Sequence, residues 1–124
     1  MKEILAYQEN RVMTQTPGRV VVMLYEGAVK FLKQAIREME AGKYIEKGKS
    51  ISRAVDIIQE LNFTLNMEAG GEIAKNLRQL YAFMLERLFQ ANMRKDAGMI
   101  RETIKVLEGL NESWKAVASG KAAV

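Results

Sequence analysis

TPGRVVVMLYEGAVKFL, running from Thr16 to Leu32, decides the fold of this chain. The stretch starts as a helix does. Thr16 is expected to cap it, its side-chain oxygen accepting an orphan backbone N–H. Pro17 suits the first helical position, where a missing N–H costs nothing. Val20, Val21, Val22, Met23, Leu24 and Tyr25 then form an unbroken apolar run. A surface helix needs one apolar stripe a little over 100° wide, so the run raises the question of what covers the rest.

The stripe itself is clear. Val21, Leu24, Tyr25, Ala28, Phe31, Leu32, Ala35 and Met39 recur at three- and four-residue spacing, the helical period. This predicts a first helix from about Pro17 to Ala41, stopped by Gly42. A second spans about Tyr44 to Asn66 on Ile51, Ala54, Val55, Ile58, Leu61 and Leu65, and EAGG (Glu68 to Gly71) breaks the chain after it. A third runs from about Gly71 to Arg94 on Ile73, Leu77, Leu80, Met84, Leu88 and Ala91, with Glu72 in its first turn, where the helix dipole favours an anion. Asp96 is placed to cap a fourth, ending near Ser119, on Ile100, Thr103, Leu107, Leu110, Trp114 and Val117.

Four helices of similar length joined by short turns imply an all-α, antiparallel up-down four-helix bundle. The period is nearer 3.6 than 3.5, so a globular bundle is expected rather than a long coiled coil. Residues 1–15 stand apart as a short apolar N-terminal arm, residues 16–119 form the bundle, and residues 120–124 are expected to fray. At 124 residues the whole is one domain.

Composition excludes several function classes. The chain has neither histidine nor cysteine, which removes imidazole acid–base chemistry, thiol nucleophiles and soft metal ligands together. The Glu-x-x-His pairs of bundle metal enzymes are therefore impossible. No Lys-Ser/Thr follows Gly70–Gly71 to make a phosphate loop. No enzyme and no cofactor are expected. No apolar run approaches the roughly 18–20 residues that span a bilayer, and no signal-peptide pattern opens the chain, so a cytoplasmic protein without membrane insertion is expected. The net charge of +4 leaves nucleic acid as an alternative partner. Acids and bases alternate, however, as in Glu86–Arg87, Lys95–Asp96 and Arg101–Glu102, the pattern of a solvated helix face. Nucleic-acid binding is therefore not expected.

What remains is an apolar surplus. Val22, Val29 and Ile36 lie at seven-residue spacing beside the first stripe. Ile57 and Phe63 fall well off the second, and Ala74, Tyr81, Leu85 and Phe89 share one flank of the third. Such residues either seal helix–helix seams or line a groove for a partner. Eight methionines suit an adaptable apolar surface as well as a core.

Several blocks occur together in order: AYQENRVMTQTP with its Tyr7–Gln8 start and Thr-x-x-Pro, then MLYEGAVKFL, then LNMEAGGEIAKNLRQLYAFMLERL, and finally LNESWKAV. In these blocks, over nearly its whole length, the chain resembles the flagellin-specific secretion chaperones, the FliS family. The resemblance implies a helical bundle that binds the disordered C-terminal segment of flagellin, prevents its premature polymerisation and delivers it to the flagellar export machinery. A generic protein-interaction or nucleic-acid-binding bundle is the alternative. The expected partner-binding residues are Tyr7, Val22, Val29, Ile36, Ile57, Phe63, Tyr81, Leu85 and Phe89. Ile4, Leu5, Tyr7, Val12 and Met13 either fold over the groove in the free protein or form an ordinary loose terminus, and the state is expected to be a monomer or a domain-swapped dimer.

Overall fold

Pro17 precedes the first helix of the computed structural model, which describes residues 17–120. Four helices follow: α1 (Gly18–Glu40), α2 (Tyr44–Phe63), α3 (Gly71–Arg94) and α4 (Ala97–Ala118). α1 packs closely between α2 and α4, and α3 packs more loosely against the same two neighbours. The helices therefore sit at the corners of a bundle, with α1 and α3 on a diagonal. The all-α fold is the one expected.

The ends explain the lengths. Pro17 is the residue before the first helical turn, not within it, and its carbonyl accepts from the N–H groups of Val20 and Val21. The expected cap Thr16 lies outside the described residues. Gly42, at φ +74°, ends α1: its N–H reaches the carbonyl of Met39, and that of Lys43 reaches Glu38. These two bonds make a Schellman turn, which needs the left-handed conformation that glycine adopts without strain. Helix α2 stops three residues before the expected Asn66. There Asn66 turns its side chain to the N–H of Ala69 at 3.1 Å, and its carbonyl accepts from Gly70, a local alternative to helix that Asn readily adopts. Asp96 caps α4 as expected, accepting from the N–H of Met99 at 3.2 Å.

The core corrects the faces of two helices. Val29 and Ile36, expected to widen the face of α1, are buried, because α1 has a neighbour on each side. On α3 the buried line is Ala74, Leu77, Tyr81, Met84, Leu88 and Ala91, and the expected stripe residue Ile73 is exposed. The helix is turned so that Tyr81 points inward. Its hydroxyl lies 2.6 Å from that of Tyr25, a partner that apolar periodicity does not reveal.

Candidate partner-binding surface

The opening run is only partly covered. Val21 and Tyr25 enter the core, Val22 and Leu24 are half-buried, and Val20 and Met23 stay exposed, Met23 at 67%. Among the described residues, surface depressions open between pairs of adjacent helices.

The first is an apolar groove of about 430 Å³ where the start of α1 meets the end of α4, lined by Arg19, Val22, Met23, Lys115, Ala118 and Ser119. The second is a larger cleft, about 660 Å³, further along the same seam. Val29 and Asn111 line it, with Lys30, Lys33 and Arg37 of α1 facing Glu108 and Glu112 of α4. Lys33 pairs with Glu108 at 3.3 Å across it. Both side chains are half-exposed, so the pair contributes little, typically about 0–1 kcal/mol. The third, about 350 Å³, lies between α2 and α3, where Ile51, Val55, Leu85 and Phe89 present an apolar wall beside Ser52, Asp56 and Asn92.

The expected residues distribute unevenly over these places. Val22 and Val29 share the α1–α4 seam, whereas Leu85 and Phe89 share the α2–α3 groove. Phe63, at the last turn of α2, is 89% exposed. Ile57 is half-buried against the core beside Gly27, whose absent side chain lets the two helices approach. Ile36 and Tyr81 are core residues. Tyr7, and with it the whole N-terminal arm, lies outside the described residues. The eight described residues are therefore spread over three seams, the exposed end of α2 and the core rather than gathered in one patch.

Other apolar groups, outside the expected binding set, are also exposed: Val20, Met23, Tyr44, Ile45, Ile73, Phe83 and Met93. Met23 was present in the opening run. Phe83 lies two residues from Tyr81 and so falls on the opposite face of α3, where a lone aromatic among polar residues is the available signal.

The polar interior was also hidden. Lys47 is buried near the start of α2, and its ammonium donates to the Asn92 side-chain oxygen at 2.6 Å and to the Asn92 carbonyl at 3.1 Å. That carbonyl belongs to the last turn of α3, where a cation complements unpaired carbonyls and the dipole. Burial, and secondarily the charge of Lys95, lower the Lys47 pKa from its ordinary value. Lys95 itself sits over the Tyr44 ring at 4.2 Å, a cation–π contact. Ser50 donates to the Glu38 carboxylate at 2.5 Å and ties α2 to α1.

The described residues thus carry grooves, exposed aromatic and methionine side chains and a firm core, and no helix among them is long and apolar enough to cross a membrane. Comparison with known proteins agrees with a binding role. The family model for "Flagellar protein FliS" matches residues 1–121. The chain is 40% identical over 111 residues to the flagellar secretion chaperone FliS of Salmonella typhimurium, covering 89% of this chain and 82% of that protein. It is 39% identical over 110 residues to that of Bacillus subtilis, covering 89% and 81%. With the secretion chaperone FliSB of Pseudomonas aeruginosa it shares 34% identity over 122 residues, 95% of this chain and 97% of its relative. On that match, spread over all four helices, the chain belongs to the FliS family, a family of flagellar secretion chaperones and not of enzymes.

Proposed function

We propose that this protein is a cytoplasmic export chaperone whose client is the disordered C-terminal segment of flagellin, held in the surface grooves until the export machinery takes it. The observation that carries the reading is the apolar surface left exposed around the core of the described residues. Met23, Phe63 and Phe89 stay more than half exposed, while Val22 and Leu85 line grooves on two different seams. A single folded partner meets one face; a disordered segment wraps several. In this reading Val22, Phe63, Leu85 and Phe89 contact the client. Ile36 and Tyr81 keep the helices in place, and Val29 and Ile57 form the walls beneath.

The test is calorimetric titration with a synthetic peptide of the last residues of the same organism's flagellin, about 40 residues being enough for the 1,000–3,000 Å² typical of coupled folding. One-to-one binding with a negative heat-capacity change, weakly sensitive to salt, supports the reading. No binding overturns it. A steep fall of affinity with salt points instead to a charge-driven partner such as nucleic acid.

A further inference from the structure

Sulfur enters this chain only as methionine, since there is no cysteine. The methionines among the described residues fall into two groups. Met39, Met84 and Met99 are buried, and Met67 is partly buried against the core. Met23 and Met93 stand out, at 67% and 63% exposed. A thioether in solvent is open to peroxides, and one inside a packed core is shielded by its neighbours.

The two exposed methionines stand in different places. Met93 is on the last turn of α3, next to the start of α4. Met23 lines the apolar groove between the start of α1 and the end of α4, with Val22 and Ala118. The length of α4 separates the two, roughly 30 Å at about 1.5 Å per residue. One methionine thus belongs to a candidate binding surface, and the other is a reference of similar exposure remote from it.

Oxidation changes what the groove offers. Methionine presents a flexible, polarizable apolar side chain. When hydrogen peroxide meets it, the sulfur lone pair attacks one peroxide oxygen, an S–O bond forms and the O–O bond breaks. The sulfur is oxidised by two electrons, and the other peroxide oxygen leaves, reduced, as water. The product sulfoxide is polar, and methionine sulfoxide reductases return it to the thioether. An apolar client side chain laid over the sulfoxide would strip its oxygen of water, which is unfavourable unless a donor takes the water's place. Arg19 is a donor in the same groove, four residues before Met23 on one face of α1. A guanidinium drawn to the oxygen would put a charge beside the apolar floor that Val22 and Ala118 provide. Either way the groove becomes less fit for an apolar client.

We propose that Met23 is a reversible oxidation site, at which conversion to the sulfoxide by a peroxide loosens the groove's hold on the client. This rests on the chaperone–client reading and adds to it a means of regulation at one named side chain.

The experiment uses the full chain. It is treated with hydrogen peroxide, the peroxide is removed with catalase, the sulfoxide at each methionine is measured by mass spectrometry, and the same flagellin peptide is then titrated. Met23 and Met93 should oxidise before Met39, Met84 and Met99. Affinity should fall about tenfold when Met23 is fully oxidised and should return after treatment with the reductases. Each variant is compared with itself before and after peroxide. Met93→Leu should lose affinity as the unaltered chain does, whereas Met23→Leu, whatever its starting affinity, should lose less than about twofold. A loss in Met23→Leu equal to that of the unaltered chain overturns the proposal while the chaperone reading stands. So does an unaltered chain whose affinity stays within about twofold once Met23 is oxidised. If Met23→Leu does not bind before treatment, partial oxidation of the unaltered chain decides. A loss that follows the fraction of Met23 sulfoxide supports the proposal, and one that follows another methionine overturns it. If the untreated, unaltered chain does not bind the peptide, both readings fall.

Discussion

The hydroxyls of Tyr25 and Tyr81 lie 2.6 Å apart across the diagonal of the bundle, joining α1 to α3, two helices that do not otherwise pack together. Trp114 of α4 packs against Tyr25, with the ring centroids 6.4 Å apart. Three helices thus meet at one buried point. The loss of either tyrosine hydroxyl leaves the other without this partner. Tyr25→Phe and Tyr81→Phe should each destabilise by about 1–3 kcal/mol. Urea unfolding of the two variants checks this; losses no larger than those of most surface substitutions, about 0.5 kcal/mol, would mean that the hydroxyl pair contributes nothing.

Burial also makes this point sensitive to alkali. The pKa of Tyr81 is raised far above its ordinary value of 10.0, first by desolvation and then by Tyr25; that of Tyr25 is raised by desolvation. A raised pKa means that the folded form keeps a proton which the unfolded chain releases, so stability falls as pH climbs above 10. Lys47 acts with the opposite sign. Its pKa is lowered from 10.5, so the folded form releases its proton first, and its contribution grows as pH rises towards 10.5. Unfolding free energy measured against pH should show Tyr81→Phe flattening the decline above 10. Lys47→Met should remove a rise in the window just below 10.5. An unchanged profile in either variant would contradict the corresponding shift.

Much of the bundle was legible in the sequence, because its signals are local. Gly42, Asp96 and the EAGG break act within one turn of where they stand, and helical period identifies four helices without knowledge of their neighbours. The facing of those helices was less legible. α3 has apolar residues on two flanks, and the choice between Ile73 and Tyr81 depends on Tyr25, 56 residues away in sequence. The candidate surface was harder still. Val29 and Ile36 look like surplus on one isolated helix and become core when α1 acquires two neighbours.

Ile36 and Phe89 separate framework from surface. Ile36 is buried, so Ile36→Ala should destabilise by about 2–5 kcal/mol. Phe89 is 57% exposed in the α2–α3 groove, and Phe89→Ala should change stability by no more than about 0.5 kcal/mol, as for most surface substitutions. If the groove holds the client, Phe89→Ala weakens flagellin-peptide affinity while the protein remains as stable as its parent. Thermal unfolding and calorimetric titration on the same two samples read both quantities. Intact affinity in Phe89→Ala would remove the α2–α3 groove from the binding surface.

Two helical glycines test how closely the helices approach. Gly48, in α2, has open space around the position of a side chain. Gly48→Ala should stabilise by about 0.5–1 kcal/mol, since glycine loses more conformational freedom in a helix than alanine does. Gly27, in α1, gains the same backbone benefit on substitution, but its new methyl would stand 3.3 Å from Ile57 Cδ1. That distance forces Ile57 to shift at the closely packed α1–α2 seam, and overpacking there opposes the gain. Gly27→Ala should therefore fall short of Gly48→Ala by about 1 kcal/mol or more. The double variant Gly27→Ala with Ile57→Val shortens the obstructing side chain by that methyl, and it should recover part of the difference. Urea midpoints for the three proteins decide it: equal gains at Gly27 and Gly48 would mean that the seam yields without resistance.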